Sequence, residues 1–373
     1  MQYTDTDLYE KRASLLGMGG MRLPKREDGS VDIPQVEKMI ALAMERGVNY
    51  YDTAWCYHDG KSENIMGDLL ANYPRESFFL ADKMPVWLCK DEADVYRIFD
   101  EQLKKCRVDY FDNYLAHSID NEDYPNMVKS DTYRILREKK EQGLIRRLGF
   151  SFHGDKALWK TMTEEYDWDF AQIEMNYLDW KEQDAEYLYH WLVEHRLPIV
   201  IMEPARGGYL ANPPAAVREI LEKACPGISP AELAYRWFFG RPGIFTILSG
   251  VSSLRQMEEN LAVFDAGEPL SEAQAETLAR AADYLMQMER VPCTGCGYCM
   301  PCPAGVDIPG MLKLLNRFLE NKSTWETKGD YLKFPEEQRA SVCISCGECA
   351  SHCPQGIRAF VHMEEISDTI GKF

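Results

Sequence analysis

The amino-acid sequence predicts an α/β fold, a closed (β/α)8 barrel followed by a small, mainly helical domain. Short β-branched and aromatic runs alternate with helical apolar spacing eight times within about 250 residues. This count favours a closed barrel over an open doubly wound sheet, and no Gly-x-Gly-x-x-Gly follows the first strand. Eight of the twelve cysteines come after residue 290, which sets the last part of the chain apart.

The predicted strands are short runs rich in β-branched and aromatic residues. They cover residues 13–20, 48–54, 78–84, 110–118, 145–152, 170–177, 198–205 and 244–250. Helical spacing follows each strand, at residues 34–46, 63–72, 91–106, 131–142, 155–165, 183–195, 230–239 and 253–264. A ninth helix is predicted at residues 271–288. We therefore expect a barrel domain at residues 1–288 and a cysteine-rich domain at residues 289–373.

The cysteine-rich segment contains two similar runs, each closed by Cys-Pro. Their cysteines are Cys293, Cys296, Cys299 and Cys302 in the first run, and Cys343, Cys346, Cys349 and Cys353 in the second. Three or four cysteines at successive x2 spacing are typical of 4Fe-4S clusters, whereas zinc sites usually pair Cys-x2-Cys units across a longer spacer. Iron-sulfur is therefore favoured over zinc. Between the runs, "IPGMLKLLNRFLE" predicts a helix with Pro309 near its start.

The two runs resemble those of bacterial-type two-cluster ferredoxins, in which the fourth cysteine of each run ligates the other cluster. The resemblance implies a ferredoxin-like domain with two 4Fe-4S clusters. One cluster would be held by Cys293, Cys296, Cys299 and Cys353, and the other by Cys343, Cys346, Cys349 and Cys302. The first run ends with x2 spacing before Cys302, where the ferredoxin pattern has x3.

The overall charge excludes some classes of partner. The formal net charge is −18, and thiolate-bound clusters would add to it, so neither nucleic acid nor an anionic membrane is expected as a partner. The first residues contain no apolar signal-peptide core, and no apolar run approaches the ~18 residues needed to span a bilayer. We expect a cytoplasmic protein in which Cys56, Cys89, Cys106 and Cys225 remain reduced thiols.

Four polar residues follow predicted strands at the end of the barrel where such folds place their chemistry. They are Asp52 after the second strand, Tyr57 in the loop that follows, Lys83 after the third and His117 after the fourth. A buried ammonium would lower the pKa of a neighbouring phenol toward neutrality, and a carboxylate would keep that ammonium charged. A neutral histidine can orient a carbonyl oxygen. Each residue alone also has a purely structural explanation, as a cap, a packing group or a buried hydrogen-bonding side chain.

At these residues the sequence resembles the aldo-keto reductase superfamily of TIM-barrel enzymes. The resemblance is carried by "YDTAWCYHDGKSE", "LADK" and "YLAH", with support from "GFSFH", "QIEMNYL" and "ILSGVSSLRQMEENL". It covers roughly residues 12–265, and the cysteine-rich tail is similar to that of a subgroup with a ferredoxin-type extension. The resemblance implies that Tyr57 protonates the substrate oxygen while a nicotinamide hydride attacks the carbon. Asp52 and Lys83 would tune Tyr57, and His117 would orient the substrate.

The resemblance also implies positions that bind the cofactor NAD(P)H. Ser151 and Gln172 match the residues that hold the nicotinamide carboxamide, and Glu259 and Asn260 match those at the adenine end. Where many NADPH-dependent members have Lys, Ser and Arg, this chain has Gly250, Val251 and Gln256, which disfavours NADPH. Phosphate could instead be bound by the start of the last barrel helix or by the loop after the seventh strand. The candidate residues there are Ser252, Ser253, Arg255, Arg206, Gly207 and Gly208.

The two parts of the chain differ in the number of electrons that they handle. A nicotinamide transfers two electrons as hydride, whereas each 4Fe-4S cluster accepts one. Three functions follow from this difference. The first is an oxidoreductase that reduces a small-molecule carbonyl or oxidises an alcohol. The second is a ferredoxin- or flavin-coupled reductase in which the clusters exchange electrons with the barrel, with a redox partner protein. The third is an iron-sulfur sensor or adaptor without turnover.

Overall fold

The computed structural model describes residues 1–4 and 11–371. The chain folds into two compact units. The first contains residues 1–205 and 227–276 and includes all eight strands. The second contains residues 206–226 and 277–373 and includes both cysteine runs. The predicted division after residue 288 stays a prediction about domain boundaries.

The first unit is built around a closed barrel of eight parallel strands in sequential order. The strands are β1 Leu16–Gly19, β2 Tyr50–Asp52, β3 Phe79–Pro85, β4 Phe111–Ile119, β5 Ile145–Phe152, β6 Phe170–Glu174, β7 Ile199–Met202 and β8 Ile244–Ser249. β1 pairs with β8, which closes the barrel. The predicted α/β barrel is therefore confirmed.

The interior of the barrel is filled by large apolar side chains. Tyr50, Phe79 and Phe245 contact one another, with ring centroids 5.8 to 6.1 Å apart, and all three are buried. Leu115, Phe170 and Val200 complete this cluster from β4, β6 and β7. Because alternate residues of a strand face opposite sides, these side chains form the packed centre of the barrel, and the polar residues lie at the strand ends.

Between residues 33 and 266 the chain forms eleven α-helices, ten of which belong to the first unit. They are α1 Ile33–Glu45, α2 Ser62–Leu70, α3 Glu92–Cys106, α4 Tyr124–Lys129, α5 Thr132–Glu141, α6 Lys156–Glu164, α7 Asp179–Glu182, α8 Ala185–Glu194, α9 Ala215–Ala224, α10 Pro230–Arg236 and α11 Leu254–Ala266, of which α9 groups with the second unit. Asp91 accepts the Asp94 N–H and so caps α3, and Asp155 caps α6 in the same way. The short helices α4 and α7 and the helix α9 were not predicted.

The second unit is mainly helical. Its helices are α12 Glu272–Gln287, of which residues 277–287 belong to this unit, α13 Ile308–Asn321, α14 Thr324–Tyr331, α15 Glu348–Ser351 and α16 Ala359–Ile366. α13 begins one residue before Pro309, as predicted, and Asp307 caps it by accepting the Gly310 N–H. One face of α13 is apolar and packs with α16 in a single core that includes Met311, Leu315 and Met363. The Asn316 side chain fixes the incoming chain by bonding both backbone polar groups of Val291.

Within the part of the chain that the structure describes, no helix has both the length and the apolar composition that crossing a bilayer requires.

Candidate active site and cysteine loops

The four predicted catalytic residues meet at the carboxyl end of the barrel. Asp52 is the last residue of β2, and Lys83 and His117 lie near the ends of β3 and β4. Tyr57 follows in the loop between β2 and α2. All four side chains are buried, and Lys83 has no exposed surface. Adjacent parallel strands end at the same edge of the barrel, so residues far apart in sequence come together there.

Lys83 is the centre of this group. Its Nζ lies 2.6 Å from Asp52 Oδ1, 2.7 Å from the Thr53 carbonyl oxygen and 3.3 Å from Tyr57 Oη. The ring of Tyr57 lies edge-on to that of His117, with centroids 6.1 Å apart. A buried ammonium requires such partners, because an isolated buried charge loses its hydration without compensation.

The electrostatics keep the lysine charged. Burial lowers the pKa of Lys83, but the Asp52 carboxylate and Tyr57 outweigh burial, and the net pKa is raised. Burial also raises the pKa of Asp52, and the neighbouring ammonium opposes that rise. The ion pair thus places one positive charge beside the Tyr57 hydroxyl.

The protonation of His117 agrees with the expectation, whereas the pKa of Tyr57 does not. Burial raises the pKa of Tyr57, and although Lys83 lowers it as expected, burial is the larger effect and the phenol stays protonated. The expected shift of the Tyr57 pKa toward neutrality is therefore wrong for this structure. Burial lowers the pKa of His117 well below its ordinary value, with Lys83 and His153 adding to the effect, so the imidazole is neutral.

Two tryptophans line this end of the barrel. The Trp87 ring lies against the His117 ring, with centroids 5.1 Å apart. Trp55 lies under the Lys105 ammonium, which is 3.5 Å from its ring centroid. Both indoles are partly exposed, so they are available to contact an apolar or aromatic part of a substrate.

His153 and Glu174 also lie here, and the sequence analysis missed them. His153 Nδ1 is 3.9 Å from Glu174 Oε2, and both residues are largely buried. They follow or end β5 and β6, the same positional signal that identified the other four residues.

Ser151 and Gln172 occupy neighbouring positions on β5 and β6 and are paired across the ladder. The Ser151 hydroxyl accepts the Ser118 N–H at 2.7 Å, which leaves its own proton available for a ligand. Gln172 Oε1 is buried without a hydrogen-bond partner in the described part of the chain. A carboxamide group, which both donates and accepts hydrogen bonds, fits this pair of side chains.

The residues after β8 are arranged differently from the expectation for a phosphate site. Arg255 and Glu259 form an exposed ion pair with each other at 2.8 Å, and Ser252 N–H donates to Gln256 Oε1. Asn260 is buried and donates to Ser249 Oγ at 2.9 Å. Their roles in cofactor binding stay predictions.

Arg22 supplies a cation at this edge that the sequence analysis missed. Its guanidinium lies 2.9 Å from Glu203, and a Cβ on Gly250 would meet the Arg22 side chain at 3.0 Å. The sequence could have indicated Arg22, because it comes shortly after the end of β1.

Arg206 and Gly207 belong to the second unit. Arg206 is buried, and Gly207 has φ +63°. A Cβ on Gly207 would lie 2.0 Å from the Thr294 carbonyl oxygen, so Gly207 packs directly against the backbone of the first cysteine run. This contact gives Gly207 a structural reason to be glycine. Phosphate binding by Arg206 and Gly207 stays a prediction.

The first cysteine loop (residues 293–305) borders a small pocket. Five cysteines line it, Cys293, Cys296, Cys299, Cys349 and Cys353, together with apolar side chains of α13 and residues near α16. Burial raises the pKa of the Cys299 thiol to about 12, and Cys296, Cys293 and Cys353 contribute to this rise, as expected for neighbouring sulfurs. Four of the five lining cysteines are those that the resemblance to ferredoxins assigns to one cluster, and the fifth, Cys349, is assigned to the other. Among the described residues, no three His, Cys, Asp or Glu side chains converge on the position of a single ion.

The second cysteine loop (residues 343–356) repeats the backbone of the first. Gly295 and Ser345 have φ +67° and +54°, and Gly297 and Gly347 have φ +83° and +84°. In each loop the backbone N–H two residues after the first cysteine donates to its sulfur at 3.4 Å. Each loop also closes with a bond from a glycine N–H to the carbonyl of its fourth cysteine, and a helix starts six residues after that cysteine. Two loops of one shape indicate two sites of one kind.

The comparisons with known proteins agree with this geometry. The model of the "Aldo/keto reductase family" matches residues 15–283. The chain therefore belongs to the aldo/keto reductase family. The model of the "4Fe-4S dicluster domain" matches residues 292–357, which contain both cysteine loops.

Curated relatives match most of the barrel. The chain is 24% identical over 295 residues to the uncharacterized oxidoreductase YqkF of Bacillus subtilis, covering 70% of this chain and 89% of that protein. It is 26% identical over 272 residues to the methylglyoxal reductase YeaE of Escherichia coli, covering 68% and 87%. The enzyme class is thus an aldo-keto reductase-like oxidoreductase.

Solved structures confirm the fold. The aldo-keto reductase AKR11C1 from Bacillus halodurans superimposes with a TM-score of 0.64 at 22% identity, covering 75% of this chain and 96% of that chain. An aldo/keto reductase from Klebsiella pneumoniae, solved with NADP and acetate, gives a TM-score of 0.58 at 22% identity, covering 72% and 91%.

Proposed function

We propose that this protein reduces the carbonyl group of a small molecule to an alcohol, or catalyses the reverse oxidation, with Tyr57 as the proton donor. The observation that carries this proposal is the buried contact of the Lys83 ammonium with both Asp52 and the Tyr57 hydroxyl. A positive charge beside a phenol favours loss of its proton, which is what a general acid requires during transfer.

Each residue of the tetrad has one role in this mechanism. Tyr57 gives its hydroxyl proton to the carbonyl oxygen as that oxygen gains negative charge. Lys83 stabilises the phenolate that remains, and Asp52 holds the ammonium in place. Neutral His117 donates its N–H to the same oxygen and orients it, and Trp87 covers the histidine from one side.

The cofactor that we assign is NADPH or NADH. When bound, it supplies the hydride that becomes the new C–H bond of the alcohol. Gln172 Oε1 would accept a hydrogen bond from the nicotinamide carboxamide and the Ser151 hydroxyl would donate one. At the other end, Arg22, Ser252, Arg255, Glu259 and Asn260 are the candidate contacts, and the absence of a lysine at Gly250 favours NADH.

We further propose that the cysteine loops hold two 4Fe-4S clusters with the ligand sets given above. When bound, the clusters supply one-electron transfer. The second cysteine loop favours electron exchange with an external carrier as a second function, because Cys346 is exposed and the neighbouring Ile344 is 67% exposed. The partners would then be a carbonyl or alcohol substrate and a redox protein. Thiolate-bound clusters and reduced thiols favour a cytoplasmic location.

Steady-state kinetics of Tyr57→Phe test the first function. With methylglyoxal as the probe carbonyl and NADH or NADPH as the reductant, we expect Tyr57→Phe to lower kcat/KM by about 10²- to 10⁴-fold. Lys83→Met should have a similar effect, since it removes the charge beside the phenol. Iron content and the melting curve should match the wild type. Near-normal turnover in both variants with cofactor bound would contradict the assignment.

An anaerobic absorption spectrum tests the second function. Bleaching of the cluster absorbance on addition of NADH or NADPH would support electron exchange between nicotinamide and clusters. A yellow chromophore released on denaturation would identify a flavin as the group that splits the electron pair. An unchanged cluster spectrum together with turnover of the carbonyl would support only the first function.

A further inference from the structure

A buried carboxyl pair, Glu63 and Asp82, lies directly behind Lys83. Both side chains have no exposed surface. Asp82 precedes Lys83 on β3, and successive side chains of a strand point to opposite sides. Lys83 reaches its partners inside the barrel mouth, and Asp82 instead contacts Cys106 at the end of α3, with the two side chains 3.5 Å apart. The mechanism proposed above does not use this pair.

Asp82 and its neighbours hold the backbone of Lys83. The ladder between β2 and β3 ends with the pair Asp52 and Ala81, so Lys83 lies beyond it. The Lys83 N–H donates to Asp82 Oδ1 at 2.8 Å, and the Lys83 carbonyl accepts from Gln102 Nε2 at 3.0 Å. Side chains thus satisfy these two backbone groups of the catalytic lysine where β2 has ended, while β4 continues to pair with β3 on its other edge.

Glu63 connects this arrangement to the loop that carries Tyr57. Its two carboxyl oxygens accept from Gln102 Nε2 at 2.8 Å and from Lys105 Nζ at 3.0 Å. The same ammonium lies over the ring of Trp55, two residues before Tyr57. The Tyr114 hydroxyl closes the network by donating to Gln102 Oε1.

The two carboxyl groups carry one proton between them. Burial raises the pKa of Glu63, and a hydrogen bond with Asp82 is among the contacts that oppose this rise. Such a bond requires a proton, because two carboxylates are acceptors only. Burial first, and then the charge of Glu63, raise the pKa of Asp82 well above its ordinary value. Glu63 has the Lys105 ammonium as a counter-charge, so the proton belongs on Asp82. The other groups facing Asp82 are Cys106, Lys83 and Tyr114, and none of them removes the need for this proton.

We propose that the Glu63–Asp82 pair, sharing one proton, is a positioning device that fixes the Lys83 backbone so that its ammonium stays beside Tyr57. The proposal rests on the proposed function of Tyr57 and Lys83. It adds two residues that touch neither substrate nor cofactor and act through Lys83.

Two substitutions at Asp82 separate positioning from simple packing. Asp82→Asn keeps an oxygen to accept the Lys83 N–H and an N–H to donate to Glu63, so it mimics the protonated acid. Asp82→Ala removes both. With methylglyoxal and NADPH we expect Asp82→Ala to lower kcat about tenfold or more with KM within about twofold, and Asp82→Asn to stay within about threefold of the wild type.

Asp112→Asn is the matched control. Asp112 is also buried, and its carboxylate accepts a backbone N–H of the same strand, that of Leu80, at 2.9 Å. Leu80 lies three residues before Lys83 on β3, and Asp112 lies at the start of β4, at the opposite end of the strands from the tetrad. Its substitution should change the melting temperature without changing kcat.

The dependence on pH gives a second readout. Because the folded-state pKa of Asp82 is raised, the pair keeps its proton to a higher pH than an ordinary carboxyl group and loses it as the pH rises through that pKa. The wild type should therefore lose kcat on the alkaline side, and Asp82→Asn should retain it to higher pH, since an amide has no proton to lose.

A titration without turnover tests the same contact directly. The ultraviolet difference spectrum between each protein and its Tyr57→Phe counterpart follows ionisation of Tyr57 alone. In Asp82→Ala this ionisation should move to higher pH, because Lys83 is no longer held at the phenol. An unchanged Tyr57 titration and kcat in folded Asp82→Ala, or an Asp82→Asn variant as impaired as Asp82→Ala, would overturn the proposal. If Tyr57→Phe itself keeps full activity, the proposed function fails instead.

Discussion

The catalytic tetrad and the cysteine loops organise their reactive groups by different means. In the barrel, Lys83 has no exposed surface, and Asp52, Thr53 and Tyr57 satisfy its ammonium entirely from within the protein. In the two cysteine loops, six of the eight cysteines are partly exposed and one is exposed. Their loops are shaped by left-handed residues and N–H···S bonds. Contacts within the protein complete the first site, whereas the second matches a domain that binds 4Fe-4S clusters through its thiols.

This difference predicts that the two regions respond unequally to loss of iron. Metal binding at such loops contributes folding free energy to the domain that contains them. The barrel has its own aromatic core around Tyr50, Phe79 and Phe245, which does not include the cysteines. Loss of a cluster should therefore lower the stability of the second unit before that of the barrel.

The largest expected effect is that of Cys346→Ser. Removing this exposed thiolate should lower bound iron by about half, because one of two sites loses a ligand. The melting transition of the second unit should move to lower temperature, and hydride transfer from added nicotinamide should survive. Anaerobic iron analysis, a melting curve and both assays on this one variant measure these effects.

Cys89→Ser is the control for that substitution. Cys89 is a buried cysteine of the first unit, outside both cysteine loops. The Cys89→Ser variant should keep the full iron content. Unchanged iron, melting and activities in Cys346→Ser would remove Cys346 from the ligand set and with it the interpretation of the second run.

A smaller effect is expected from Gly207→Ala, with Gly208→Ala as its matched control. Both glycines have positive φ, +63° and +90°, so alanine strains both by about 1 kcal/mol. A Cβ at position 207 would also lie 2.0 Å from the Thr294 carbonyl oxygen, whereas nothing lies within 4 Å of a Cβ at position 208. Gly207→Ala should therefore displace the first cysteine loop.

The electron paramagnetic resonance spectrum of the reduced clusters distinguishes the two alanine variants. We expect Gly207→Ala to alter the signal or occupancy of one cluster and Gly208→Ala to leave both unchanged. Equal spectra for the two variants, with equal melting temperatures, would show that the contact with Thr294 does not shape the cluster loop.

The smallest expected effect concerns His58, which follows Tyr57. Its Nε2 accepts the Leu23 N–H at 3.1 Å and so fixes the catalytic loop. Burial, with help from Lys25, lowers the pKa of His58 to about 4. Its folded-state pKa lies below the unfolded value, so its stabilising contribution is present above pH 6.5 and is lost as the pH falls toward 4.

His58→Gln keeps an acceptor but cannot titrate. We expect its melting temperature to fall less than that of the wild type between pH 6.5 and 4, by about 2 °C. His190→Gln, at an exposed position on α8, should follow the wild type. If the melting temperatures of the wild type and His58→Gln fall equally between pH 6.5 and 4, His58 does not hold the loop through its neutral form.

Much of the barrel could be predicted because each strand carries its own local signal. The predicted bounds of β5 agree with the structure, α3 differs by one residue at its start, and α12 differs by one residue at each end. α9 was missed because eight strand and helix pairs already complete a barrel, although Pro214 before it and the helical spacing of Val217 and Leu221 mark it in the sequence. The tetrad could be located because strand ends of a barrel converge, which requires no side-chain detail.

The remaining site residues depend on contacts that only the folded chain reveals. Glu63 and Asp82 are separated by 19 positions and face away from the mouth of the barrel, where the sequence analysis did not search. The closeness of Gly207 to Thr294 joins positions almost 90 residues apart. Arg255 and Glu259 carry the right chemistry for cofactor contacts, but their spacing of four on one helix face lets them pair with each other instead.

The most direct measurement of the central claim, that the tetrad transfers hydride with Tyr57 as acid, is isotope tracing. The anaerobic protein is supplied with methylglyoxal and nicotinamide cofactor deuterated at the transferring C4 position, and the alcohol is analysed by mass spectrometry. The account predicts one deuterium on the new C–H carbon in the wild type and in Cys346→Ser, and almost no product in Tyr57→Phe. Reduction of methylglyoxal without deuterium in the product, accompanied by bleaching of the clusters, would contradict it.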